Sequence, residues 1–120
     1  MMFPFRRGPA RVTPADVHQH TRDEGAVLLD VRERAEWTAG HAPGAVHAPL
    51  SALLAGAGLP RDAEGRSLMV ICRSGRRSRQ AARLLTERGA EAVDVTGGMN
   101  AWAAAGLPVV DSHGNRGSIA

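Results

Sequence analysis

Short apolar runs that do not alternate with polar residues constrain this chain more than any other feature. Residues 26–31 (AVLLDV) form one such run. A strand with one wet face would alternate, so this pattern suits a strand buried on both faces, as in a parallel sheet. Residues 67–71 (SLMVI) are the clearest strand, 92–95 (AVDV) another, and 45–47 a brief one. Helical signals fall between them. Thr13-Pro14-Ala15-Asp16 reads as a helix start, with a capping hydroxyl, proline at the first helical position and an acid near the positive end of the dipole. Short helical pieces are expected at 34–39, stopping at Gly40, and from Pro49 through Leu54. A helix over 78–88 places Ala81, Ala82, Leu84 and Leu85 on one side and ends at Gly89; a last one covers 99–105 and ends at Gly106. Strands alternating with helices define an α/β domain with a mostly parallel sheet.

The chain has 120 residues, which fits a single small domain. Residues 1–11 are rich in Pro, Gly and Arg and read as a flexible lead. The domain is expected over 12–110, and the polar, glycine-rich stretch 111–120 as a frayed tail. With two Phe, two Trp and no Tyr, the core must be built mainly from Ala, Leu and Val. Aromatic platforms for stacking nucleic-acid bases are scarce. The net charge is only +3, every basic residue is Arg, and the arginines form no long run, so no nucleic-acid partner is expected. No run approaches the roughly 18 apolar residues of a membrane span, and residues 1–11 hold no apolar stretch of signal-peptide length. A single cysteine excludes an internal disulfide. The expectation is a protein of a reducing compartment, the cytoplasm, with no membrane partner.

That cysteine, Cys72, directly follows the clearest strand and opens the loop Cys72-Arg73-Ser74-Gly75-Arg76-Arg77-Ser78, which leads into a helix. Ligands of open parallel sheets bind at the carboxyl ends of the strands, which is where Cys72 falls. A loop curling back into a helix turns its backbone N–H groups inward and makes an anion cradle. Gly75 permits a backbone angle that a side chain resists. Arg73, Arg76, Arg77, Arg79 and Arg83 are the densest cationic group of the chain, and they surround the cysteine. Such surroundings favour a thiolate able to attack an electrophilic sulfur, phosphorus or arsenic centre, with loop amides holding the oxygens of an anionic substrate. A lone cysteine at a strand end is often only a small buried hydrophobe. Packing, however, supplies no reason for three arginines and a glycine within five residues of it.

These residues resemble the rhodanese-like domains, specifically the small single-domain sulfurtransferases. The likeness covers roughly residues 13–110. Leu29-Asp30-Val31-Arg32, Glu36-Trp37 and Gly40-His41-Ala42-Pro43-Gly44-Ala45 look like the N-terminal signature of that family. The Cys72–Ser78 loop looks like its active-site loop. Gly97-Gly98-Met99-Asn100-Ala101-Trp102 with Gly106-Leu107-Pro108-Val109 looks like its C-terminal signature. The resemblance implies a rhodanese-like α/β fold with a central five-stranded parallel sheet flanked by helices, and a persulfide on Cys72. A small anionic donor such as thiosulfate would load the sulfur, and cyanide or a thiol would remove it, a thioredoxin-like or sulfur-carrier protein being a compatible acceptor. No cofactor is implied. Ala42 departs from the larger apolar residue usual there, which bears on packing. Because the chain has no second thiol, the sulfur must leave to another molecule in a two-step cycle. Phosphatase-type relatives space Cys and Arg by five residues. Here Ser78 stands at that position, which disfavours a phosphatase or arsenate reductase. A non-catalytic rhodanese-like binding module is the remaining alternative.

Other residues carry weaker expectations. Arg73, Ser74, Gly75, Arg76, Arg77 and Ser78 are candidate substrate-binding residues. Asp30 and Arg32 either wall the pocket or form a structural ion pair, and the ion pair is favoured. Met99 is expected to border the site, and Gly97-Gly98 to turn beside the loop. His41 reads as a turn histidine bonded to backbone, Trp37 and Trp102 as packing, and Glu33 and Glu36 as a solvated helix face. The histidines show no metal-ligand spacing, and no metal site is expected.

Overall fold

The computed structural model describes residues 11–23 and 25–120; the expected flexible lead therefore lies, apart from Arg11, outside the described residues. The elements are β1 (Arg11–Val12), α1 (Pro14–Asp23), β2 (Val27–Asp30), α2 (Arg34–Ala39), β3 (Val46–His47), α3 (Leu50–Leu54), β4 (Leu68–Ile71), α4 (Arg76–Glu87), β5 (Ala92–Val95) and α5 (Gly98–Ala104). The five strands lie in the order β1-β5-β4-β2-β3, and every pairing is parallel. Four of these strands are the ones expected from the apolar runs; β1 was not among them, and its Arg11, assigned from sequence to the flexible lead, is held in the sheet by pairing with β5 and by the buried Asp94. All four residues of β2 and of β4 are buried, which is what an apolar run covered on both faces requires.

Strand parity divides the core. Leu29, Leu68, Val70 and Cys72 face α3 and α4, where Leu50, Leu53, Ala81, Ala82 and Leu85 cover them. Leu28, Met69, Ile71, Val93 and Val95 face the opposite way, onto Val17, Met99 and Trp102 of α1 and α5. Each fully buried Leu, Ile, Val or Met contributes roughly 1.5–3 kcal/mol of transfer free energy. The same alternation that buries Leu68 and Val70 under α4 carries over to Cys72, so the thiol emerges beneath that helix.

Local boundaries follow side-chain chemistry. Thr13 and Asp16 cap α1 reciprocally: Asp16 N donates to Thr13 Oγ1 and Thr13 N to Asp16 Oδ2, both at 3.2 Å. Helix α4 begins at Arg76 rather than at 78, because Gly75, with φ 109°, is the left-handed residue that starts it. No helix of the described residues is long and apolar enough to cross a membrane.

The stretch 111–120 departs from the frayed tail expected of it. Val110 and His41 exchange backbone bonds of 2.8 Å, Gly117 N donates to Val109 O at 3.0 Å, and Ser118 N donates to Ala39 O at 3.0 Å. Ile119 packs on the α1/α5 side of the core. The physical reason is close backbone approach: a Cβ on Gly117 would meet the Cα of Gly40 at 2.8 Å. Glycine content, read from sequence as looseness, here permits tight docking.

Candidate active site

Cys72 is 1% exposed and lies at the carboxyl end of β4, at the foot of α4. Gly75 N donates to Cys72 Sγ at 3.1 Å, and the thiol donates to Ser78 Oγ at 3.4 Å. Gly75 is required by its backbone: φ is 109°, which disfavours a side chain, whereas a Cβ there would meet only ordinary contacts, 3.4 Å from Arg11 Nη2 and 3.5 Å from Gly97 N. The loop is fixed from below by α5. Met99 N donates to the Cys72 carbonyl at 2.7 Å and Asn100 N to the Arg73 carbonyl at 3.0 Å. These N–H groups belong to the first turn of α5 and have no partner within that helix. Gly98 lets the helix come this close, since a Cβ there would fall 2.7 Å from the Arg73 carbonyl carbon.

A buried polar chain extends from the thiol. Ser78 Oγ donates to Asp94 Oδ1, and Asp94 Oδ2 accepts from Arg11 Nε and Nη2, each at 2.8 Å. Asp94 is 3% exposed. A carboxylate at that depth needs partners, and this one has a hydroxyl and a guanidinium. Asp94 and Arg11 were not among the residues singled out from sequence. The signal was present as an acid inside the apolar run AVDV, which asks for a buried partner.

The loop arginines divide by environment. Arg73 and Arg76 are exposed, as is Ser74. Arg77 is held by Glu36 through a two-point contact, Nη1 to Oε1 at 2.6 Å and Nη2 to Oε2 at 2.8 Å. The guanidinium of Arg77 holds the Glu36 carboxyl down at about 2, against an ordinary value of 4.5. The Arg77 guanidinium is correspondingly held above its ordinary range, first by its bond to Glu36. Glu36 is therefore not part of a solvated face but the clamp between α2 and α4. Glu33 is exposed, as a solvated face requires, and accepts from Ser51 Oγ at 2.7 Å.

Asp30 and Arg32 form the structural ion pair favoured from sequence. Both are fully buried, Arg32 Nη2 lies 2.8 Å from Asp30 Oδ2, and the same nitrogen donates to Gly40 O at 2.6 Å. This pair ties the end of β2 to the turn after α2. Met99 meets the loop through its backbone N–H; its side chain is buried on the far face of the sheet. His41 Nδ1 is 2.7 Å from Trp37 O, the backbone contact expected of a turn histidine, and its ring stacks on Trp37 at 3.6 Å. Among the described residues no group of three or more His, Cys, Asp or Glu side chains could share a metal ion.

A buried sulfur at a strand end, receiving a backbone N–H and facing the first turn of a helix, suits a nucleophile that carries a small group. The family model of the rhodanese-like domain matches residues 13–105, so the chain belongs to the rhodanese-like domain family. A protein named sulfurtransferase from Allochromatium vinosum is 36% identical over 93 residues, covering 76% of this chain and 84% of its own length. A protein of Synechocystis sp. named only as uncharacterised is also 36% identical, over 100 residues, which are 82% of this chain and 55% of that one. This chain thus spans little more than half of that relative. Among solved structures, a rhodanese-related protein of Thermoplasma volcanium superposes with a TM-score of 0.72 at 30% identity, covering 84% of this chain and 97% of its own.

Proposed function

We propose that the chain is a sulfurtransferase in which Cys72 carries the transferred sulfur as a persulfide. The observation that carries the reading is the position of Cys72 Sγ, 3.1 Å from the Gly75 amide at the N-terminus of the 12-residue helix α4. The amide donates to the sulfur and the first turn of the helix lies beside it, which holds Cys72 where a small anionic donor can be met. The thiolate attacks the outer sulfur of a donor such as thiosulfate; an S–S bond forms to Cys72, and sulfite leaves with the electron pair of the bond that breaks. Cyanide or a thiolate then attacks the outer persulfide sulfur, releasing thiocyanate or a new persulfide and restoring the Cys72 thiolate. No oxidant is consumed in either step.

In this reading Gly75 and Ser78 address the sulfur directly, while Arg73, Ser74 and Arg76 flank the mouth through which the anion arrives. Arg77, paired with Glu36, acts through its field and by holding the loop. With no second cysteine in the chain, the acceptor is external: cyanide, a small thiol, or the thiol of a thioredoxin-like or sulfur-carrier protein. A reducing compartment such as the cytoplasm would keep Cys72 available between cycles.

Incubation with thiosulfate followed by intact-mass measurement tests the reading. Wild type gains the mass of one sulfur atom, Cys72→Ser gains nothing, and cyanide removes the adduct as thiocyanate. Absence of both adduct and thiocyanate would sink thiosulfate sulfurtransfer, and hydrolysis of an aryl phosphate by the wild type would replace it with phosphatase chemistry.

A further inference from the structure

Arg76, Arg79 and Arg83 stand on one face of α4 at intervals of three and four residues, all exposed, and none has a hydrogen-bond or ion-pair partner among the described residues. With Arg11 they line an open concavity of about 770 Å³ that reaches the active-site loop at Ser74 and Gly75 and has no acidic side chain in its wall. Arg11 is neutralised by Asp94, which leaves the α4 arginines as the uncompensated charge. The single acid of α4, Glu87, lies one turn beyond Arg83 and is not paired with it.

This pattern works against the helix that bears it. Cations in the first turns oppose the helix dipole, and Arg79 and Arg83, four apart, repel each other. Fold stability therefore gives no account of the row, whereas an incoming negative surface does. From Arg76 to Arg83 the row spans roughly 10 Å of helix, too long for one small anion to engage and suited to several carboxylates on another molecule. No aromatic side chain lines the concavity, so the stacking that accompanies recognition of single-stranded nucleic acid is missing there.

We infer that the α4 arginine row is the docking surface for an acidic, thiol-bearing protein that takes the sulfur from Cys72. The inference rests on the sulfurtransferase reading, which requires an external acceptor. The wall of the concavity includes Gly75, whose amide bonds Cys72 Sγ, so a partner seated on the row touches the loop that holds the reacting atom. Cys72 itself is buried, but the transferred sulfur projects about 2 Å beyond Sγ, the length of one S–S bond. Electrostatic complementarity of this kind raises the encounter rate and selects partners.

Two cysteine peptides of equal length serve as probes, one with the cysteine among glutamates and one among glutamines. At low ionic strength the persulfide of the wild type should pass sulfur to the acidic peptide about tenfold faster, and the advantage should vanish near 0.5 M salt. Arg79→Gln with Arg83→Gln should bring the two peptides within about twofold while leaving transfer to cyanide unchanged. Arg61→Gln with Arg116→Gln, which removes equal charge elsewhere, should keep the preference. Fluorescence anisotropy of the acidic peptide with serine in place of cysteine reads docking without any persulfide, so failure of sulfur loading is seen separately. Equal rates and equal binding for the two peptides, or equal losses in the two double variants, would overturn the inference. So would tighter binding of a charge-matched DNA oligonucleotide at the same arginines, which would reassign the row to nucleic acid.

Discussion

Ser78 is the residue on which the polar interior of the site turns. Its hydroxyl accepts from the Cys72 thiol at 3.4 Å and donates to the buried Asp94 carboxylate, which Arg11 then neutralises. Removing the hydroxyl leaves an acceptor of Asp94 unpaired in the interior, a loss of about 1–3 kcal/mol. Ser78→Ala should therefore lower the free energy of urea unfolding by that amount, with Ser78→Thr recovering most of it. Unchanged stability of the alanine variant would show that Asp94 finds another donor. Gly75 is constrained differently, by a φ of 109°. Gly75→Ala should lose persulfide loading much more than stability, because the strained residue also supplies the amide that bonds Sγ.

At the scale of elements, two contacts hold the loop between helices. The first is the docking of α5 under Cys72 and Arg73 through the N–H groups of Met99 and Asn100. Gly98→Ala places a carbon against the Arg73 carbonyl, so the helix must withdraw and both bonds lengthen. Sulfur loading should fall by up to about a hundredfold, the scale expected when a reacting group is displaced by about an ångström. A variant that loads sulfur at the wild-type rate would mean that the loop keeps its shape without α5. The second contact is the Arg77–Glu36 clamp between α4 and α2. Glu36 titrates at about 2 when folded, below its ordinary 4.5, so its stabilising effect is complete above about pH 4.5 and is lost as pH falls towards 2. Thermal melts across that window should show wild type losing stability more steeply than Glu36→Gln. Parallel curves would show that the clamp contributes nothing.

For the molecule as a whole, the carboxyl-terminal stretch decides how the domain closes. It runs back along the turn after α2, bonds to Val109 and Ala39, and lays Ile119 on the core. Removing residues 111–120 uncovers that side and frees those backbone groups. A melting temperature lower by roughly 5–15 °C is expected, on the scale of 4–8 °C per kcal/mol for a domain of this size. An unchanged melting temperature would return the stretch to the frayed tail its composition implied.

How much of this was readable beforehand depends on how local the cause is. Unalternating runs such as AVLLDV and SLMVI mark buried parallel strands, because burial on both faces leaves a pattern in consecutive residues. The strand–Cys72–Gly75–helix order likewise places a thiol at a helix foot, since the chain cannot reverse there without the glycine. Partners distant in sequence left no such trace. Arg11 is 83 residues from Asp94, Glu36 is 41 from Arg77, and Gly117 finds Gly40 only when the tail folds back. Composition misread the tail for the same reason: whether a glycine loosens a chain or lets two backbones touch depends on what lies opposite. By itself the sequence determined four of the five strands and the place of Cys72 and its loop between a strand and a helix, because those are properties of neighbouring residues. Apart from Asp30 and Arg32, two residues apart, only the tertiary structure decided which acid meets which arginine, and therefore which cations of α4 are left unpaired among the described residues.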